Sequence, residues 1–162
     1  MDEVILLLGS NKGDRLSYLN SAIKRISSLS LADITSSSIY ESEPWGFDTE
    51  TWFLNCAIKM ATLLTPEELI NKLLQIELDL GRVRLSKASG YESREIDIDV
   101  IFFGDKIVDN SIITVPHPRM HLRRFVLIPT CDIVPNYIHP VFNKDLSTLL
   151  ENCEDKSIVK SF

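Results

Sequence analysis

Asp97 and Asp99 stand two residues apart in the run REIDIDVIFF, residues 94–103. The run alternates as a strand does. Ile96, Ile98, Val100 and Phe102 fall on one face, and Asp97, Asp99, Ile101 and Phe103 on the other. On a strand this spacing points both carboxylates the same way, with Cα atoms roughly 6.5–7 Å apart. Two such charges about 6 Å apart repel by roughly 3 kcal/mol at an effective dielectric near 20. Aspartate is also a poor strand former. Two readings are open. Either water screens the pair on an exposed strand, or a cation relieves it. Magnesium suits the second, because it takes one or two carboxylates together with phosphate oxygens.

The surrounding charges favour phosphate. Arg82, Arg84 and Lys87 precede the strand, and Arg94 stands at its entrance. Strict alternation would bury Arg94 with Ile96, so strand pairing is expected to begin after it, leaving the guanidinium free to turn outward. Further on, HPRMHLRRF (117–125) supplies His117, Arg119, Arg123 and Arg124. Arginine forks bind phosphate oxygens in pairs, while carboxylates hold a metal on the same phosphates. His117 and His121 are four apart, but Pro118 and the lack of a third close ligand argue against zinc. LGSNKGDR has glycines at 9 and 13 without the Walker spacing, and no GxGxxG occurs. A nucleotide here is bound without a Walker loop.

The elements that must position these groups can be read from the rest of the chain. With 162 residues it is long enough for one domain, 1–162, with a real core. A net charge of −6 argues against a nucleic-acid binder working through a general basic surface. No apolar run reaches membrane-spanning length. The acidic start MDEVILLLGSN lacks the features of a secretory signal, so a cytoplasmic protein is expected. Cys56, Cys131 and Cys153 are odd in number and widely spaced, and read as reduced, structural thiols.

Residues 3–8 read as a buried strand stopping at Gly9, and 14–29 as a helix. Strands are expected over about 33–41 and over 52–63, where Phe53 and Asn55 share a face. TPEE at 65–68 marks a helix start with a cap, a first-turn proline and a capping-box glutamate; that helix ends at Gly81. The polar loop RVRLSKASGYES leads into the aspartate strand, and a less regular C-terminal region follows HPRMHLRRF. Strand, helix, strand, strand, helix, strand is the order of an α+β ferredoxin-like sandwich. Its sheet is mainly antiparallel, with helices packed on one face and the other partly free for chemistry.

LGSN (8–11), YESEPWG (40–46), FLN (53–55), IELDLGRVR (76–84), REIDIDVIFFG (94–104) and PHPRMHLRRFVLIP (116–129) occur in one order. Together they resemble the 6-hydroxymethyl-7,8-dihydropterin pyrophosphokinase family of folate biosynthesis. The resemblance runs from about residue 4 to about residue 135. It implies transfer of the β,γ-diphosphate of ATP to the pterin hydroxymethyl group, releasing AMP, by a monomer using two Mg²⁺ ions. Asp97 and Asp99 then match the metal ligands, and Arg82 and Arg94 the loop arginines that assist transfer. Glu77, Arg84, Tyr91, Ile98, His117, Arg119 and Arg123 match the ATP site. Gly9, Asn11, Ser42, Glu43, Trp45, Phe53, Asn55 and Phe125 match the pterin site. Phe53 and Phe125 would sandwich the ring and Asn55 hydrogen-bond it, which suits a flat heteroaromatic. The loop before Arg94 reads ASGYES, where some members carry a tryptophan-glycine-proline run.

Two other functions stay open on the residues alone. A metal-dependent phosphohydrolase could use the same aspartates and would need no pterin. A ferredoxin-like binding module would sense a ligand without turning it over, and would have no use for carboxylates flanked by arginines.

Overall fold

The computed structural model describes residues 1–45, 50–81 and 94–162. Strand β1 (Asp2–Ser10) is followed by helix α1 (Arg15–Leu29), then β2 (Thr35–Ser36), β3 (Tyr40–Ser42) and β4 (Phe53–Thr62). Helix α2 (Pro66–Asp79) and strand β5 (Asp97–Phe103) complete the expected order. Beyond them lie a two-stranded ribbon, β6 (Val108–Asp109) with β7 (Thr114–Val115), a 3-10 turn (Met120–Leu122), helices α3 (Arg124–Ile133) and α4 (Leu146–Glu151), and strand β8 (Val159–Ser161). The main sheet runs β5-β1-β4-β3-β8, with β2 also on β4. Every pairing is antiparallel. Ignoring β8, this is the strand order of a ferredoxin-like α+β fold.

The local signals explain most boundaries. Asp14 caps α1 by accepting from Ser17 N. Thr65 and Glu68 form the reciprocal capping box at α2, and Gly81 takes a φ of +97° just past its end. β1 runs one residue past Gly9 because Gly9 and Ser10 still pair with Asn55 and Leu54. The strand expected over 33–41 is split. The Ser37 hydroxyl accepts from Ala57 N–H at 2.8 Å and donates to Ser38 O, so a side chain replaces part of the ladder between β2 and β3.

Two cores sandwich the sheet. Leu6, Leu8, Leu54, Ile58, Ile98 and Val100 pack against Leu19, Ile26, Leu69 and Leu73 of α1 and α2. On the opposite face, Ile5, Leu7, Ala57, Ile101 and Phe102 pack against Val126 and Leu127 of α3 and Leu146 and Leu149 of α4. Each fully buried large side chain is worth roughly 1.5–3 kcal/mol, so both cores matter. The second face is thus only partly free: α3 and α4 cover its far end and leave the end with Gly9, Asn55, Asp97 and Asp99 open.

β5 departs from strict alternation. Its register against β1 shifts between Ile5 and Leu6, where Val100 faces Leu6 and Phe102 faces Ile5. Ile101 is the extra residue, a β-bulge. It turns Phe102 to the α3/α4 side and Phe103 to the α1/α2 side, the reverse of the alternation read from the sequence. No helix among the described residues is long and apolar enough to cross a membrane.

Candidate active site

The free end of the sheet opens into a cleft of about 410 Å³. β1 runs through its floor. Gly9 faces Asn55 of β4 on one side and Asp97 of β5 on the other. Two interstrand spacings, roughly 9.5 Å, therefore separate the Asn55 and Asp97 backbones. The sheet fixes an acidic end and an aromatic end at a set distance.

At the acidic end, Asp97 and Asp99 both line the cleft. Arg94 lies ahead of the strand, as expected, but its guanidinium is not turned out to solvent. Its Nη1 sits 3.2 Å from Asp97 Oδ2, with the side chain 13% exposed. The Arg94 backbone is gripped by Asn11, whose Oδ1 accepts from Arg94 N–H at 2.8 Å and whose N–H donates to Arg94 O at 3.1 Å. Asn11 also donates to Thr51 O at 3.3 Å. It is buried and lies behind the wall rather than on it.

Burial pushes the Asp99 carboxyl well above the usual carboxylate range, and the neighbouring charges of Asp97 and Glu77 push it further; Arg94 and Arg123 oppose them. This environment fits a cation. Among the described residues, no group of three or more His, Cys, Asp or Glu side chains could cage a metal. A pair of carboxylates open to a cleft suits a hard ion that completes its shell with water and phosphate oxygens.

Glu77 and Ile98 lie on the other side of β5. Helical spacing places Glu77 on the apolar face of α2 with Leu69 and Leu73, where it is buried and accepts from Ile98 N–H at 2.8 Å. Neither is among the cleft-lining residues.

His117, Arg119 and Arg123 line the same cleft as the aspartates. His117 Nδ1 accepts from Arg119 N–H at 3.2 Å. Burial and then the Arg123 charge push its pKa down to about 4, so it is neutral with its proton on Nε2. Arg123 is 7% exposed and lies 4.5 Å over the Trp45 ring and 5.6 Å over the Phe125 ring.

At the other end, Phe53 from β4 and Phe125 from the first turn of α3 line the same cleft, each half-buried. Asn55 Nδ2 donates to Ser42 Oγ at 2.5 Å, which fixes the amide. Glu43 and Trp45 complete this wall. A Cβ on Gly9 would lie 2.9 Å from Asn55 Oδ1. Gly9→Ala is accordingly expected to displace Asn55 and, for the two substrates that the resemblance implies, to raise KM for the pterin about tenfold with KM for ATP unchanged. Steady-state kinetics with each substrate varied in turn would check this; equal shifts in both constants would contradict it.

Leu7 also lines the cleft and escaped the sequence reading, since it sits in an unbroken apolar run. Its place two residues before Gly9 on the same strand was the one usable signal. Arg82, Arg84, Lys87 and Tyr91 lie outside the described residues.

Residues 5–135 match the model of the family described as 7,8-dihydro-6-hydroxymethylpterin-pyrophosphokinase (HPPK). The chain is 40% identical over 147 residues to a protein of Aquifex aeolicus named 2-amino-4-hydroxy-6-hydroxymethyldihydropteridine pyrophosphokinase, covering 90% of this chain and 89% of that one. It is 34% identical to a Haemophilus influenzae protein of the same name, over 96% of this chain and 95% of the other. Among solved structures, a Plasmodium falciparum HPPK-DHPS chain superposes with a TM-score of 0.71 at 14% identity. That match covers 93% of this chain and 45% of the other, so the present chain spans less than half of that protein's length. With its family model matched over most of its length and relatives alike from end to end, the chain belongs to the HPPK family.

Proposed function

We propose that the chain transfers the β,γ-diphosphate of ATP to the hydroxymethyl group of 6-hydroxymethyl-7,8-dihydropterin, releasing AMP, as a step of folate biosynthesis. The observation that carries this reading is the pairing of two ends in one cleft. A carboxylate pair beside arginines lies a fixed sheet distance from an aromatic pocket with an anchored amide. A phosphohydrolase would have no need of the second end.

In this reading Phe53 and Phe125 stack the pterin, and Asn55, held by Ser42, reads its polar edge. Gly9, Glu43 and Trp45 shape the same wall, with Asn11 supporting it from behind. Asp97 and Asp99 hold two Mg²⁺ ions, which when bound neutralise the phosphate charge and polarise the phosphoryl oxygens. His117 donates from Nε2, while Arg84, Arg119, Arg123 and Tyr91 hold the nucleotide, and Arg82 and Arg94 steady the transferring group. Glu77 acts through Ile98, whose amide it fixes. The hydroxymethyl oxygen attacks the β-phosphorus, the bond from that atom to the α,β-bridging oxygen breaks, and AMP departs with it. Asp97 is placed to orient the hydroxyl or take its proton. The same reading gives a monomer of the cytoplasm that acts on small molecules, without nucleic acid or membrane as partner.

AMP formation from ATP and Mg²⁺, with and without the pterin, tests the proposal. Pterin-dependent AMP with a pterin diphosphate product supports it. ADP and phosphate without a pterin requirement would replace it with a hydrolase.

A further inference from the structure

The C-terminal segment 155–162 lies outside the residues that match the family model, yet it touches both walls of the ring-binding end. Helix α3 carries Phe125 in its first turn and follows directly on Arg123. Its N-cap residue, Arg123, makes no capping hydrogen bond with its side chain. The first helical amide instead finds its acceptor far along the chain: Arg124 N–H donates to Asp155 Oδ2 at 2.9 Å. The other oxygen, Asp155 Oδ1, accepts from Ser157 N–H at 2.9 Å and from the Ser157 hydroxyl at 2.5 Å.

One residue later the segment grips the opposite wall. Ile158 N–H donates to Glu43 Oε1 at 2.7 Å, and Glu43 N–H donates to Ile158 O at 3.1 Å. The segment then continues as β8, pairing Val159 with Ser42 and Lys160 with Glu41. Lys160 Nζ lies 3.6 Å from Glu41 Oε1. Four residues, Asp155 to Ile158, thus join the Arg123–Phe125 wall to the Ser42–Trp45 wall. The Arg123 guanidinium, 4.5 Å over the Trp45 ring, is a second link between the same two walls.

We infer that the 155–158 segment is a strap that sets the width of the ring-binding end, with Asp155 as a positioning residue that acts through the amide of Arg124 and, by way of Ser157 and Ile158, through Glu43. The inference rests on the proposed pterin reading for its substrate. Fixing both walls before the ring arrives spares the ordering cost of binding, so the strap acts on pterin affinity more than on the nucleotide. It touches no reacting atom.

Three variants test it. Asp155→Ala removes the acceptor for Arg124 and Ser157. Ile158→Pro removes the N–H given to Glu43. Asp145→Ala is the structural control, because Asp145 caps α4 through Thr148 N–H at 2.8 Å and lies away from the cleft walls. Asp155→Ala and Ile158→Pro are each expected to raise KM for the pterin about five- to tenfold and leave KM for ATP within about twofold. Their combination should do little more than either alone, since both cut one strap. The control should lower the melting temperature without changing either constant.

Equal rises in both KM values, a fully additive double variant, or a pterin shift in the control would overturn the strap. If the wild type makes no pterin-dependent AMP, the proposed function fails and the strap is read by amide hydrogen exchange instead. Loss of protection in both 40–45 and 123–127 in either variant then supports it, and loss confined to 155–162 overturns it.

Discussion

Asp99→Asn is expected to make the protein more stable and inactive. Burial, together with the Asp97 and Glu77 charges, raises the folded pKa of Asp99 above its unfolded value. The native state therefore binds that proton more tightly than the unfolded chain does. Stability is undiminished below the unfolded value of about 3.9 and is lost as pH rises past it toward the folded value. Asparagine keeps the shape and removes the charge. A gain of about 1 kcal/mol, or roughly 2–4 °C in Tm, is expected at neutral pH and should vanish near pH 4. Turnover should fall by about a thousandfold or more on the proposed function, since the cation proposed there would lose an acceptor where phosphate charge must be neutralised. Melting curves at pH 4 and pH 8, together with AMP release, measure both halves. Magnesium with an unreactive ATP analogue should raise the Tm of the wild type and not of the variant. Near-normal turnover in Asp99→Asn would remove the metal assignment.

Arg123→Met is expected to lower kcat/KM roughly a hundredfold with little loss of stability. A charge-assisted hydrogen bond to phosphate is worth about 1.5–3 kcal/mol, which is the scale of that loss. The long apolar stem of methionine fills the space between Trp45 and Phe125, so the packing is kept while the cation–π attraction, about 0.5–2 kcal/mol, and the positive charge facing Asp99 are lost. The variant should also change the pH profile. Burial and then Arg123 hold His117 down at about 4, so it does not titrate through the neutral range. Without Arg123 its pKa rises, while burial still keeps it under the ordinary value of about 6.5. An acid limb assignable to His117 should move upward in the profile of kcat/KM. An unchanged profile with unchanged rate would dismiss Arg123 as a phosphate ligand.

The sequence carried the first half of the fold well because local chemistry decides it. Asp14, Thr65, Glu68 and Gly81 act within a few residues of themselves, so α1 and α2 lie where their caps put them. The second half depends on partners far away. The first amide of α3 is capped by Asp155, thirty-one positions on, and Pro129 sits inside the helix, so neither signal marks a helix in sequence. The site divides in the same way. Asp97, Asp99, Phe53 and Asn55 were legible because strand alternation fixes which way they point. Glu77 and Asn11 match ligand-site positions by resemblance alone; among the described residues one accepts from Ile98 N–H and the other grips Arg94, contacts that no local pattern announces. Sequence spacing gives the direction of a side chain but not what stands between it and a ligand.

The out-of-step residue in β5 has a consequence for how the molecule lives among its neighbours. β5 is at one rim of the sheet, where a strand offers an open ladder of amides and carbonyls to any passing chain. Ile101 has no partner on β1, and its carbonyl accepts from His117 N–H at 2.9 Å. The misfit residue thereby fastens the basic segment along the rim. One irregularity thus ties the segment carrying His117, Arg119 and Arg123 to the strand carrying Asp97 and Asp99, and takes up one carbonyl of an edge that would otherwise stand open to a passing strand.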